Sequence, residues 1–160
     1  MSASVGKTRW TDIQKDTGED FAPPTNNLHM DNVIYVVETG GITLVHWGDN
    51  RPVPEVFVDE YLRKQPIDVL FIPVDESEHI LSYGQADAIM GAYKPGVTIP
   101  IHYLMHGVNT VLSTLQPCEP WILTHKNIVE ISSSRFPVSP GQYPQQGDAV
   151  GTFGNHYTRD

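Results

Sequence analysis

The chain has 160 residues, 39% of them apolar and 18% charged, close to the ~150 residues of one domain and long enough to bury a core. Its net charge of −9 excludes the positive face that nucleic acid or an anionic membrane requires. A single cysteine, Cys118, excludes an internal disulfide and a cysteine-rich zinc site. No apolar run reaches the ~18 residues of a membrane span, and the opening MSASVGKTRWTD has no apolar stretch of the signal-peptide kind, so a cytoplasmic location is expected.

Residues 1–28 are polar and interrupted by Pro23-Pro24 and Asn26-Asn27, which predicts an arm with one short strand around residues 8–13. Residues 32–38 (NVIYVVE) are rich in β-branched and aromatic side chains and read as a strand. Gly40-Gly41 is a hairpin turn signal, and residues 42–47 (ITLVHW) form the returning strand. The turn Gly48-Asp49-Asn50 follows. Pro54 opens a helix in which Phe57, Val58, Tyr61 and Leu62 make one buried face, and Pro66 closes it. Residues 67–74 (IDVLFIPV) are nearly all apolar, as in a strand buried on both faces; an acidic loop over 75–78 comes next. Ser82 and Gln85 have capping-box spacing, so a second helix runs from there to Tyr93 and stops at Lys94-Pro95-Gly96. Residues 97–101 (VTIPI) are a further buried strand ending at His102. A short helix is expected over 108–115 and a last strand over 127–132, and the Pro, Gly and Gln content after 137 predicts a loose tail. Helices alternating with buried strands define an α/β layered sheet.

Three polar residues stand at the carboxyl ends of predicted strands: Asp49, Asp75 and His102. Functional groups of layered α/β proteins collect at that edge, and an aspartate with a histidine is a partial ligand set for a borderline metal such as zinc. Asp49 is equally accounted for as one member of a Gly-Asp-Asn turn. By strand alternation Val45 and Trp47 share one face and His46 the other, so His46 reads as a core residue or a support to a ligand. His79, in the loop before the second helix, is placed to touch a substrate or simply to be solvated. Asp75 alone in the acidic loop is placed to orient a ligand from behind. Cys118, between Pro117 and Pro120 with no basic neighbour, reads as structural.

The segments NVIYVVETGGITLVHWGDNR, IDVLFIPVD and YKPGVTIPIHY, in that order over roughly residues 29–105, resemble the second half of a metallo-β-lactamase-fold hydrolase, most closely the ascorbate-6-phosphate lactonase-like branch. The elements carrying the resemblance are the hairpin ending in Gly-Asp, the strand ending in Pro-Val, the helix ending in Lys-Pro, and Ile-Pro-x-His. The resemblance implies that Asp49 matches the metal-bridging aspartate and His102 the last ligand histidine. The family also places a ligand histidine shortly before the hairpin. His29, twenty residues before Asp49, stands there, although it equally suits a surface loop. The family's His-x-His-x-Asp-His signature has no counterpart in this chain. The implied fold is therefore half of an αββα sandwich: a mixed sheet with two covering helices, either part of a longer enzyme with an N-terminal half or a natural half-domain. The implied division is an arm over 1–28, the half-domain over 29–135 and an irregular tail over 136–160. An uncovered apolar sheet face is poorly tolerated in a monomer, and a two-fold homodimer would re-create the sandwich.

Two functions follow as expectations. One is a metal-dependent hydrolase, or a truncated remnant of one. It would use zinc, manganese or iron and a metal-bound hydroxide on an ester, lactone or phosphoester of a small molecule. The other is a non-catalytic dimerising or binding module that kept the fold and lost half the metal site. A doubly wound binding domain, with Asp75 and His102 at its strand ends, would need parallel order throughout, which the Gly40-Gly41 hairpin opposes.

Overall fold

A computed structural model describes residues 2–9, 31–50, 52–54, 56–76, 80–105 and 115–154. Within them, seven strands form one sheet: β1 (Ser2–Arg9), β2 (Asp31–Thr39), β3 (Ile42–His46), β4 (Val69–Pro73), β5 (Val97–Ile101), β6 (Asn127–Glu130) and β7 (Ala149–Thr152). Their spatial order is β1-β2-β3-β4-β5-β7-β6. β2 pairs antiparallel with both β1 and β3, the latter across the Gly40-Gly41 turn. From β3 onward every pairing is parallel, so the carboxyl ends of β3, β4, β5, β7 and β6 lie along one edge. The sheet is thus mixed, as expected.

Three helices, α1 (Val56–Leu62), α2 (Tyr83–Tyr93) and α3 (Glu119–Ile122), pack on one face. Alternation along the strands selects the residues they cover: Ile34 and Val36 of β2, Val45 of β3, Leu70 and Ile72 of β4 and Val150 of β7. Full burial of side chains such as Leu70 and Ile72, both at 0% exposure, stabilises by about 1.5–3 kcal/mol each. α2 begins as its sequence dictates. The Ser82 side chain accepts from the Gln85 amide, and the Gln85 side chain accepts from the Ser82 amide at 2.8 Å. It ends at Lys94, whose left-handed backbone (φ 48°) lets its amide bond Met90 O at 2.8 Å before Pro95 blocks continuation.

The opposite face carries a second cluster built on Val69, Val97, Ile99 and Ile131, against which Phe136, Val138 and Tyr143 pack. The stretch between β6 and β7 therefore covers the β4-β5-β7 part of this face. Over β2 and β3 the face is open: Tyr35 is 51% exposed, and His46, its register partner, is exposed as well. The inner face expected to lie bare is thus half covered by the chain itself.

Four local expectations change. The N-terminal strand occupies Ser2–Arg9, ahead of the expected position around 8–13. In α1 only Val58 and Leu62 are buried, whereas Phe57 is 59% and Tyr61 39% exposed. The helix packs through a single i, i+4 pair, and its neighbouring turn position, Asp59, accepts hydrogen bonds from Tyr93 and Arg63. The strand over 127–132 is present as β6 but is not the last one. The segment expected to be loose contains β7, which inserts between β5 and β6, and the helix expected over 108–115 falls at residues that, Leu115 apart, lie outside those described.

Candidate functional site

The Gly48-Asp49-Asn50 turn is built for one conformation. Gly48 has φ 65°, and a Cβ there would stand 2.9 Å from Val33 O and 3.2 Å from Asn50 Nδ2, so only glycine fits. Asn50 is fully buried and clamps the turn from below. Its side-chain amide donates to Trp47 O, and its own carbonyl accepts from Trp47 Nε1 at 3.2 Å. Trp47, also at 0% exposure, is anchored in the helix-side core. With Trp47 and Asn50 pinned, Asp49 is the exposed member of the turn, standing at the carboxyl end of β3.

Asp75 follows β4, and its side chain is fully buried. Its backbone is held firmly: Val74 N donates to Ile101 O, tying it to β5, and Gln116 N donates to Asp75 O, both at 3.0 Å. His102 follows β5 with φ 54°, a left-handed conformation that costs a non-glycine residue about 1–2 kcal/mol and is found where surrounding structure imposes it. Its Nδ1 lies 3.5 Å from Asp75 Oδ2, and its side chain is 37% exposed. The Asp75 carboxylate raises the His102 imidazole above its ordinary value, with the charge of Asp49 adding to the effect and burial opposing it. That contribution places Asp49 within electrostatic reach of the ring. Asp49, Asp75 and His102 thus follow the carboxyl ends of three neighbouring parallel strands, β3, β4 and β5, with Asp75 and His102 in contact.

The other residues singled out in the sequence do not join them. His46 lies on the open face, its ring stacked on Phe71 at 6.1 Å and its Nδ1 accepting from Gly48 N at 3.1 Å, so it supports the turn from the side opposite Trp47. His29 and His79 lie outside the described residues. Cys118 is buried, and burial pushes its thiol up to about 12, as expected of a structural cysteine. Asn50 was not anticipated, although the third position of a Gly-Asp-Asn turn after a tryptophan signals a side chain able to cap that turn.

Among the described residues, no group of three or more His, Cys, Asp or Glu side chains stands close enough to hold a metal ion. The donors at the edge are nevertheless of the right chemistry: one carboxylate, and one imidazole with a buried carboxylate at its Nδ1, the arrangement that leaves Nε2 as a ligand atom. They fit a share of a metal site.

A mixed sheet covered by helices on one face, with its strand ends gathered at one edge, is a layer of an α/β sandwich. The family described as "Beta-lactamase superfamily domain" matches residues 2–102, and the chain belongs to the metallo-β-lactamase superfamily. The match begins at β1. A solved structure from Thermotoga maritima, provisionally assigned as a Zn-dependent hydrolase of the metallo-β-lactamase superfamily, is similar at TM-score 0.61 and 19% identity, covering 93% of this chain and 64% of that one. A second, from Parabacteroides distasonis ATCC 8503 and provisionally assigned as a metal-dependent hydrolase, aligns at TM-score 0.43 and 18% identity over 69% of this chain and 41% of that one. The chain thus spans less than two thirds of either structure. A comparison with curated proteins gives no match.

Proposed function

We propose that this chain supplies part of a divalent-metal hydrolase centre acting on an ester, lactone or phosphoester of a small molecule. The observation that carries the reading is the Asp75–His102 pair at the carboxyl edge, one strand away from Asp49 at the end of β3. In this reading Asp49 and His102 are the ligands, with zinc, manganese or iron as the metal. When bound, such a metal supplies Lewis-acid polarisation of the scissile group and an activated water. The chain's own part is to hold two donors on rigid strand ends, with the Asp49 turn fixed by Asn50 and Trp47. A catalytic zinc takes three protein ligands. The third comes from His29 or from a second polypeptide, either a copy of this chain in a two-fold dimer or an N-terminal half of the sandwich. The open face over β2 and β3, with Tyr35 and His46, is where such a partner would sit.

A second reading is a binding or dimerising module without catalysis, and it is favoured by the set of only two ligands and one orienting carboxylate among the described residues. Metal content per chain separates the two. Protein is purified without chelator or affinity tag and analysed by mass spectrometry, with Asp49→Ala and His102→Ala beside it. The metal reading expects near-stoichiometric zinc, manganese or iron in the parent and its loss in both variants, followed by turnover of lactone or phosphoester substrates. A parent that stays metal-free in excess zinc leaves the binding module.

A further inference from the structure

Asp75 has no place among the ligands, yet it is the most completely buried ionisable group at the edge. A carboxylate at 0% exposure is costly unless charged or hydrogen-bonding groups compensate it, and its position is over-determined. Val74 N, just before it, donates to Ile101 O of β5, and the Asp75 carbonyl accepts from Gln116 N. Among the described residues its side chain meets the ring of His102, Nδ1 to Oδ2 at 3.5 Å. That ring belongs to a residue held at φ 54°, so the backbone has taken on strain in a place where the side chain meets the carboxylate. The separation is at the outer limit of a hydrogen bond, as is common for site contacts that tighten only on ligand binding.

We propose that Asp75 is a positioning residue: it holds the proton of the His102 ring on Nδ1 and turns Nε2 outward as the free donor of the edge. The inference rests on the metal reading for what Nε2 then binds, but not for the ring geometry itself. A buried carboxylate of this kind fixes the tautomer and the orientation of an imidazole ligand, and its loss typically costs 10–100-fold in metal affinity. An alternative in which the pair is only a structural contact predicts no tautomer preference and no effect on metal.

The test uses the whole chain and Asp75→Asn, which keeps the volume of the side chain but can donate to Nδ1 as well as accept from it. Nitrogen-15 NMR of the metal-free protein, under alkaline conditions that leave the ring neutral, reads which nitrogen of His102 carries the proton. The expected result is protonation on Nδ1 in the parent and loss of that preference in Asp75→Asn. Zinc titration of the same two proteins, with circular dichroism to verify folding, is expected to show binding about 10–100-fold weaker in the variant. A parent ring protonated on Nε2 overturns the proposal, whatever the zinc result. So does a folded Asp75→Asn that binds zinc as tightly as the parent. If the parent takes up no zinc while its His102 is protonated on Nδ1 and Asp75→Asn loses that preference, the metal reading fails and the positioning role stands. Should Asp75→Asn not fold, Asp75→Glu takes its place: retained Nδ1 protonation is expected, and an Nε2-protonated ring in that variant and the parent alike counts against the idea.

Discussion

Replacing Gly147 by alanine tests whether the C-terminal segment is docked as part of the fold. Gly147 has φ 73°, and a Cβ there would lie 2.4 Å from Met90 O and 2.9 Å from Lys94 Cα. Both obstacles are backbone of the last turn of α2, the helix that ends just before β5 and His102. Neither is the free end of a side chain that could swing away. The left-handed conformation costs an alanine about 1–2 kcal/mol. Relieving the overlap costs a further ~1–3 kcal/mol, because the Gly147 amide is also bonded to Pro95 O at 3.1 Å and cannot retreat freely. The sum, about 2–5 kcal/mol, is a large part of the ~5–15 kcal/mol by which domains are stable. Urea unfolding followed by circular dichroism is the assay. With a slope of ~2 kcal/mol per M, the midpoint falls by about 1–2.5 M. Gly91→Ala is the internal comparison: it lies within α2, is exposed, and has nothing within 4 Å of its Cβ position, so it stabilises by about 0.5–1 kcal/mol. A Gly147→Ala midpoint matching the parent, with Gly91→Ala behaving as expected, would refute the docking of residues 143–152 described above.

Thr98 on β5 is fully buried, and its hydroxyl has no hydrogen-bond partner among the described residues. Thr98→Val keeps the shape and removes the orphaned group, so thermal unfolding should show a gain of about 1 kcal/mol, or ~3 °C at this chain length. Burial raises the Cys118 thiol from 9.0 to about 12, so above pH 9 the unfolded chain loses this proton first and the folded chain binds more. Stability therefore falls as pH rises through that window. Cys118→Ala should flatten part of the fall in urea midpoints measured across it, and the native thiol should resist alkylation at neutral pH. Asp49→Ala should abolish the metal uptake expected of the parent, read by mass spectrometry; an unchanged metal content would remove Asp49 from the ligand set.

Much of the sheet was legible because its strands are short runs of β-branched residues bounded by clear stops: Gly40-Gly41, Pro66, and Lys94-Pro95-Gly96. The strand ends alone put Asp49, Asp75 and His102 at the carboxyl edge. β7 was illegible for a physical reason. Its sequence, AVGT, sits in a Gly- and Gln-rich stretch and contains Gly151, which reads as loop. A Cβ there would lie 2.4 Å from Ile99 Cδ1, so a larger residue would make the end of the Ile99 side chain turn aside. The outer side of α1 misled in the opposite sense: Phe57 and Tyr61 have the hydrophobicity of core residues and the spacing of one face, but the helix presents only Val58 and Leu62 to the sheet. Asn50 carried no signal of periodicity at all, because its work is done by two bonds within a single turn.

The strand order has a consequence for how the molecule is made. β7 is the last of the seven strands to leave the ribosome, yet it occupies an interior slot between β5 and β6. Until it emerges, β6 has no neighbour, and the flank of β5 presents unpaired amides and carbonyls beside Val97 and Ile99. A nascent chain halted before Ala149 would hold an open sheet edge of the kind that recruits other chains. Synthesis therefore delivers the helix-covered layer first and closes the gap between β5 and β6 last.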